Sequence, residues 1–168
     1  MRREQYERLS APFRKNPQAV KALNLVNQVI TFGVYAVYTV TGLVLLIRRD
    51  PRAKRFLLPP AAGFLGVTLF RRVKNSPRPH QVWDIEPLLS RRKDGQSFPS
   101  RHTYSIFAIA STFGFLWPVT GALLLIAGII LAAVRVIGGV HFIKDVLAGA
   151  ACGLLTGLAG RLACRDNK

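Results

Sequence analysis

Residues 119–134 read VTGALLLIAGIILAAV. Wound into a helix, this stretch is apolar on every side and has no face to offer water. A chain carrying it must bury it in a large core or hold it in a bilayer. Four more apolar stretches accompany it: Val29–Ile47, Phe56–Phe70, Tyr104–Trp117 and Val146–Ala163, with Val119–Val134 fourth in order. A bilayer crossing takes about 20 residues. The first stretch meets that comfortably; the others need flanking residues, so their polar ends dip toward the membrane. A water-soluble helical bundle is the alternative reading, and the fourth stretch argues against it. Composition points the same way. The chain is 50% hydrophobic, yet its formal net charge is +16. Basic residues spread over a polar surface would suggest nucleic acid. Here they fall between the apolar blocks, the pattern of a multi-pass membrane protein, and no nucleic-acid partner is expected.

The expected fold is therefore all-α: an integral membrane helical bundle of about five transmembrane helices, forming one domain over residues 1–168. Residues 1–28 are expected to form an N-terminal interfacial segment. In NPQAVKALNLVNQ, Val20, Leu23 and Val26 share one side while Lys21, Asn24 and Asn27 lie elsewhere, which reads as a short helix lying in the membrane interface. The first 25 residues are polar and basic and do not resemble a cleavable leader. Asp50-Pro51 and Trp117-Pro118 mark tight turns, and Trp83 and Trp117 are candidates for the two interfaces. Cys152 and Cys164, twelve apart on one expected helix, cannot bridge each other and read as small packing residues.

With five spans, the segment from Arg71 to His102 and the segment from Arg135 to Asp145 lie on the same side of the membrane, together with the amino terminus. The first holds Arg71, Arg72, Lys74, Arg78, His80, Ser100, Arg101 and His102; the second holds Arg135, His141 and Asp145. His141 and Asp145 are four apart, so a helix starting near His141 lets the carboxylate reach one ring nitrogen and leave the other able to attack. Guanidinium groups of Arg71, Arg78 and Arg135 have the shape and charge for phosphate oxygens. Pro99-Ser100 can open the third span, with Ser100 as its cap and the amides of Arg101 and His102 directed at an anion. Each feature has a plainer reading. Juxtamembrane arginines commonly anchor helix ends, Asp145 can pair with Lys144 or Arg135, and Gly138-Gly139 can merely permit a turn. Two histidines, a carboxylate and several arginines converging beside spans that tolerate little charge are harder to explain that way.

At these residues the chain resembles the type 2 phosphatidic acid phosphatases, membrane lipid phosphatases related in fold to vanadium haloperoxidases. Their motifs run Lys-x6-Arg-Pro, Pro-Ser-Gly-His and Ser-Arg-x5-His-x3-Asp. This chain has RRVKNSPRP, with Arg71, six intervening residues, then Arg78-Pro79; PSRH at Pro99–His102; and Arg135, His141 and Asp145 at the third spacing. It departs in three places. Arg71 stands in the Lys slot, Arg101 in the Gly slot, and Val134 in the Ser slot. Lys74 carries the right charge at the wrong spacing. With about five spans where many members have six, the chain looks like the compact bacterial undecaprenyl-diphosphate phosphatases.

The resemblance implies a mechanism and a partner. His141 attacks phosphorus and Asp145 orients it; His102 protonates the leaving oxygen. Arg71, Arg78, Arg135, Ser100 and the amide of Arg101 hold the phosphoryl oxygens, with Lys74 and His80 as secondary candidates. No cofactor and no metal are expected, and the partner is a membrane lipid phosphate. Asp84, Glu86 and Asp94 read as loop surface or a lid. Sixteen residues from His102 to Trp117 make about 24 Å of helix, less than a hydrocarbon core of about 30 Å, which sets the site near headgroup level. Undecaprenyl diphosphate is the first candidate; phosphatidate or phosphatidylglycerophosphate, or a non-catalytic lipid-binding or lipid-moving role, are the alternatives. The basic residues divide sixteen to eight in favour of the site's side, which taken alone makes that side cytoplasmic. Discounting the arginines that the motifs claim, and weighing the dense RRDPRAKR cluster opposite, the resemblance favours an extracytoplasmic site.

Overall fold

The computed structural model describes residues 2–89 and 94–163. Arg91, Arg92, Lys93 and Cys164, which entered the charge and cysteine readings, lie outside them. Seven helices follow in order among the described residues: α1 (Arg3–Arg14), α2 (Pro17–Ile47), α3 (Arg52–Lys74), α4 (Pro79–Trp83), α5 (Arg101–Leu116), α6 (Pro118–Ile137) and α7 (Ile143–Ala163). Proline opens α2, α4 and α6, where its fixed φ suits the first turn and its missing N–H is no loss. Asn16 caps α2, its Oδ1 accepting from the amides of Gln18 at 2.9 Å and Ala19 at 3.4 Å. Asn75, in the left-handed region, stops α3.

Helices α2, α3, α6 and α7 are each long and apolar enough to cross a bilayer. Their outward side chains are apolar, as with Phe32 and Val40 on α2 and Leu123, Ile126 and Ile129 on α6. Water would penalise such a surface, and lipid does not. α5 is the shortest of the five long helices, and it sits in the middle, touching α2, α3, α6 and α7. Every residue from Thr103 to Ala110 is buried. The expected all-helical membrane bundle is thus what forms, with four helices wrapped around a fifth.

One boundary differs. Residues 17–28 are the first three turns of α2 and not a separate interfacial helix; the short N-terminal helix is α1, earlier in the chain. No breaker separates Pro17 from Ile47. The polar side of 17–28 is turned toward the loops above the bundle: Asn24 Nδ2 donates to the Leu88 carbonyl at 3.0 Å, and Asn27 Oδ1 accepts from Arg135 Nη1 at 3.2 Å.

Two contacts fix where the helices sit. At one end, Phe56 stacks edge-on with Phe113 at 5.0 Å and with Trp117 at 6.0 Å, each such pair worth about 0.5–1.5 kcal/mol beyond its burial. At the other end, α7 lies against α5 so closely that a Cβ on Gly149 would stand 2.6 Å from the Ser100 carbonyl oxygen. That approach lets the Ser100 amide donate to the Asp145 carbonyl at 2.8 Å, joining the starts of α5 and α7. Trp117 and Trp83 lie at these opposite ends; Trp83 packs on Tyr6 and Phe142.

Candidate active site

The end where α5 and α7 begin gathers four pieces of chain: the last turn of α3, residues 75–89, residues 94–100, and the turn 138–142. Several bonds weld the first three to the turn or to one another. The amides of Leu88 and Leu89 donate to the Gly138 carbonyl at 3.0 and 3.3 Å. Arg78 donates from Nε to the Gly95 carbonyl at 3.0 Å and from Nη1 to the Val140 carbonyl at 3.1 Å. Arg71, buried at the end of α3, donates from Nη1 to the carbonyls of Ser97 and Pro99. Both guanidinium groups are therefore held by the backbone they brace.

His141 follows Gly139, whose φ of 73° turns the chain back over the bundle. The histidine is buried and lies just before α7, not in it. Asp145 still reaches it, because the carboxylate folds back over the helix start: Oδ2 accepts from the Phe142 amide at 3.0 Å, the return half of a capping box. The direct His141 Nδ1 to Asp145 Oδ2 distance is 3.4 Å. Ser97 fills the gap. Its hydroxyl donates to Asp145 Oδ2 at 2.5 Å and lies 3.3 Å from His141 Nδ1. A hydroxyl has one proton, and here the carboxylate takes it, so the serine oxygen can only accept from the ring. Nδ1 therefore carries the hydrogen, and Nε2 holds a lone pair. Burial pushes His141 below the ordinary imidazole value, against the upward pull of the Asp145 hydrogen bond, so the ring is neutral. Asp145 Oδ1 is buried with no hydrogen-bond partner among the described residues.

His102 stands in the first turn of α5, half-buried, within electrostatic reach of Arg135, His141, Arg101 and Arg71. Arg71 and Arg78 in turn feel one another, Arg101 and Asp145. Arg71, Arg78, Arg101, Arg135, His102, His141 and Asp145 thus form one cluster. The first amides of α5 have no intrahelical acceptor and face its positive end.

Other expectations are corrected. Ser100 occupies the cap position of α5 without a side-chain capping bond; its Oγ accepts from the Thr103 hydroxyl at 3.0 Å, while its amide donates to the Asp145 carbonyl. Lys74 is exposed and stacks over Phe98 at 5.5 Å and Phe70 at 6.0 Å, so Arg71 alone fills the first basic slot. His80 is buried and joins Asp94 through Nε2 at 3.1 Å, tying α4 to the residues ahead of α5. Asp145 bonds to Ser97 and Phe142, not to Lys144. Ser97 and Asn27 went unread in the sequence. The serine sits three residues ahead of Ser100 in a loop, and the asparagine lies 108 residues from the arginine it meets.

A protein-family model described as the PAP2 superfamily matches residues 53–167. The chain belongs to the PAP2 superfamily. The chain is a phosphoric ester hydrolase acting on lipids, of a multi-pass membrane type. Among curated proteins none matches the sequence. Two solved structures share the PAP2 fold. The crystal structure of LpxE from Aquifex aeolicus is 23% identical with a TM-score of 0.72, the alignment covering 95% of this chain and 93% of that one. The first transmembrane PAP2-type phosphatidylglycerolphosphate phosphatase from Bacillus subtilis is 19% identical with a TM-score of 0.73, over 98% and 87%. The likeness in both cases is one of fold.

Proposed function

We propose that the protein hydrolyses a membrane lipid phosphate or diphosphate through a phosphohistidine intermediate, with undecaprenyl diphosphate the first candidate. The observation that carries the proposal is the state of His141: neutral, buried, its Nδ1 hydrogen committed to Ser97 and Asp145, amid guanidinium groups and a second histidine. Nε2 attacks phosphorus as the bond from phosphorus to the leaving oxygen breaks. His102 gives that oxygen its proton. Asp145, through Ser97, steadies the imidazolium that forms. Arg71, Arg78 and Arg135, with Ser100 and the Arg101 amide, hold the phosphoryl oxygens as charge builds. Water, deprotonated by His102, then cleaves the phosphorus–nitrogen bond and releases inorganic phosphate. The arginines supply the neutralising charge, and no metal takes part in this scheme.

The compactness of the chain and its motif resemblance support an undecaprenyl substrate. The placement of the cluster at the end of the bundle supports a lipid, whose headgroup reaches that level while its tail stays among the helices. The test is phosphate release from undecaprenyl diphosphate in detergent, with and without chelator. Wild-type protein should turn over equally in both conditions and form an acid-labile, base-stable phosphoenzyme. His141→Ala should lose at least about 10³-fold in kcat, as expected for removing a covalent nucleophile. Full activity in His141→Ala would overturn the assignment.

A further inference from the structure

Arg101 stands where the motif has glycine, and the scheme above uses only its backbone amide. Its side chain is half-buried and runs toward α3, with the guanidinium 5.4 Å over the Phe64 ring. Among the described residues no carboxylate pairs with it. Its charge is felt at Arg71, Arg78 and His102. Three other arginines already serve the transferred phosphoryl group. Half-buried and over an aromatic ring, this fourth cation is open to an anionic group of the substrate.

We propose that the Arg101 side chain selects an anionic leaving group, so that the site prefers a lipid diphosphate to a lipid monophosphate. This rests on the phosphohistidine reading. In the proposed scheme the leaving oxygen departs on the side of His102, and the Arg101 charge reaches His102 from the preceding position of the first turn of α5. In a monophosphate, attack by His141 breaks a bond to an alcohol oxygen. That group leaves neutral once His102 has protonated it, and a neighbouring guanidinium has no charge to meet. In a diphosphate, attack on the terminal phosphorus breaks the bond to the bridging oxygen. The departing group is then the lipid monophosphate, which gains negative charge on its oxygens as that bond opens. A guanidinium beside the acid neutralises this charge in the transition state, when it matters for rate. The Phe64 ring holds the planar group against α3.

The test compares initial rates on farnesyl diphosphate and farnesyl monophosphate, which share a tail, for full-length wild type, Arg101→Gly, Arg101→Lys and His141→Ala in detergent. Wild type should favour the diphosphate. Arg101→Gly should lower the diphosphate-to-monophosphate ratio of kcat/KM by about 10- to 100-fold, the range for losing one charge-assisted hydrogen bond. Arg101→Lys should restore part of that ratio. A ratio unchanged in Arg101→Gly, or a wild type that favours the monophosphate, overturns the selection by Arg101 while leaving the phosphatase reading intact. Full activity of His141→Ala on both substrates overturns the underlying mechanism instead. Because the readout is a ratio within one variant, a general loss of folded protein cancels.

Discussion

At the scale of single residues, the neighbours of His141, the proposed nucleophile, carry the sharpest consequences. Ser97 takes the ring hydrogen of His141 and passes its own to Asp145. Ser97→Ala should therefore lower kcat by about 10- to 100-fold with little change in KM, since the lost bond orients the attacking ring and does not hold the lipid. An unchanged kcat would remove Ser97 from the relay. The pH dependence follows from burial. His141 titrates below its usual value of 6.5, so the nucleophile stays neutral as pH falls through that point and is lost only further down. The acid limb of kcat/KM, corrected for substrate ionisation, should lie below pH 6.5. The Asp145 hydrogen bond raises the histidine's pKa, so Asp145→Asn should slow the reaction and move that limb to still lower pH. A limb moving upward would contradict the assignment. His102, His141, Asp145 and three of the arginines were legible because their spacings match a motif and their charges are costly beside apolar spans. Ser97 was not, because a loop serine has many ordinary uses and only the fold brings it to the carboxylate.

Among elements, the five long helices were legible from their apolar blocks, although each began or ended a few residues from where the apolar run did. Polar residues such as Arg101 and His102 join α5 because a helix start can satisfy them at the site. The misplaced boundary before α2 has a definite cause. Asn24 and Asn27 look like the wet side of a surface helix, but in the fold they bond the Leu88 carbonyl and Arg135. A polar stripe can face a polar site as readily as it faces water, and periodicity does not distinguish the two. The contact between α5 and α7 yields a prediction at this scale. Gly149→Val would place atoms against the Ser100 carbonyl and the Thr103 side chain. It should destabilise the bundle by about 1–3 kcal/mol, read as a lower Tm in detergent, and reduce kcat together with it. Normal activity at lowered Tm would show that the helix starts need not touch for turnover.

For the whole molecule, the site cluster, α1 and residues 75–89 and 94–100 share one end, while Arg48, Arg52 and Trp117 mark the other. α1 is tied into the site end by Arg14, which donates to the Glu86 carbonyl at 2.6 Å and to the Tyr6 hydroxyl at 2.9 Å. We expect the site end to face outward. With Cys152 and Cys164 replaced by serine, Glu86→Cys should react with a membrane-impermeant maleimide on intact cells, and Arg48→Cys should react only after permeabilisation. The reverse pattern would place the site inside. Counting basic residues could not decide this from sequence, because the arginines proposed to bind phosphate and those that follow the positive-inside rule are chemically the same residue.

The bond from the Ser100 amide to the Asp145 carbonyl has an effect on how the protein meets its surroundings. A slip of one helix turn between α5 and α7 would part the histidines by about 5.4 Å and end turnover. The clip opposes that slip, so a change in the thickness of the surrounding bilayer tends to carry residues 102 and 141 along together.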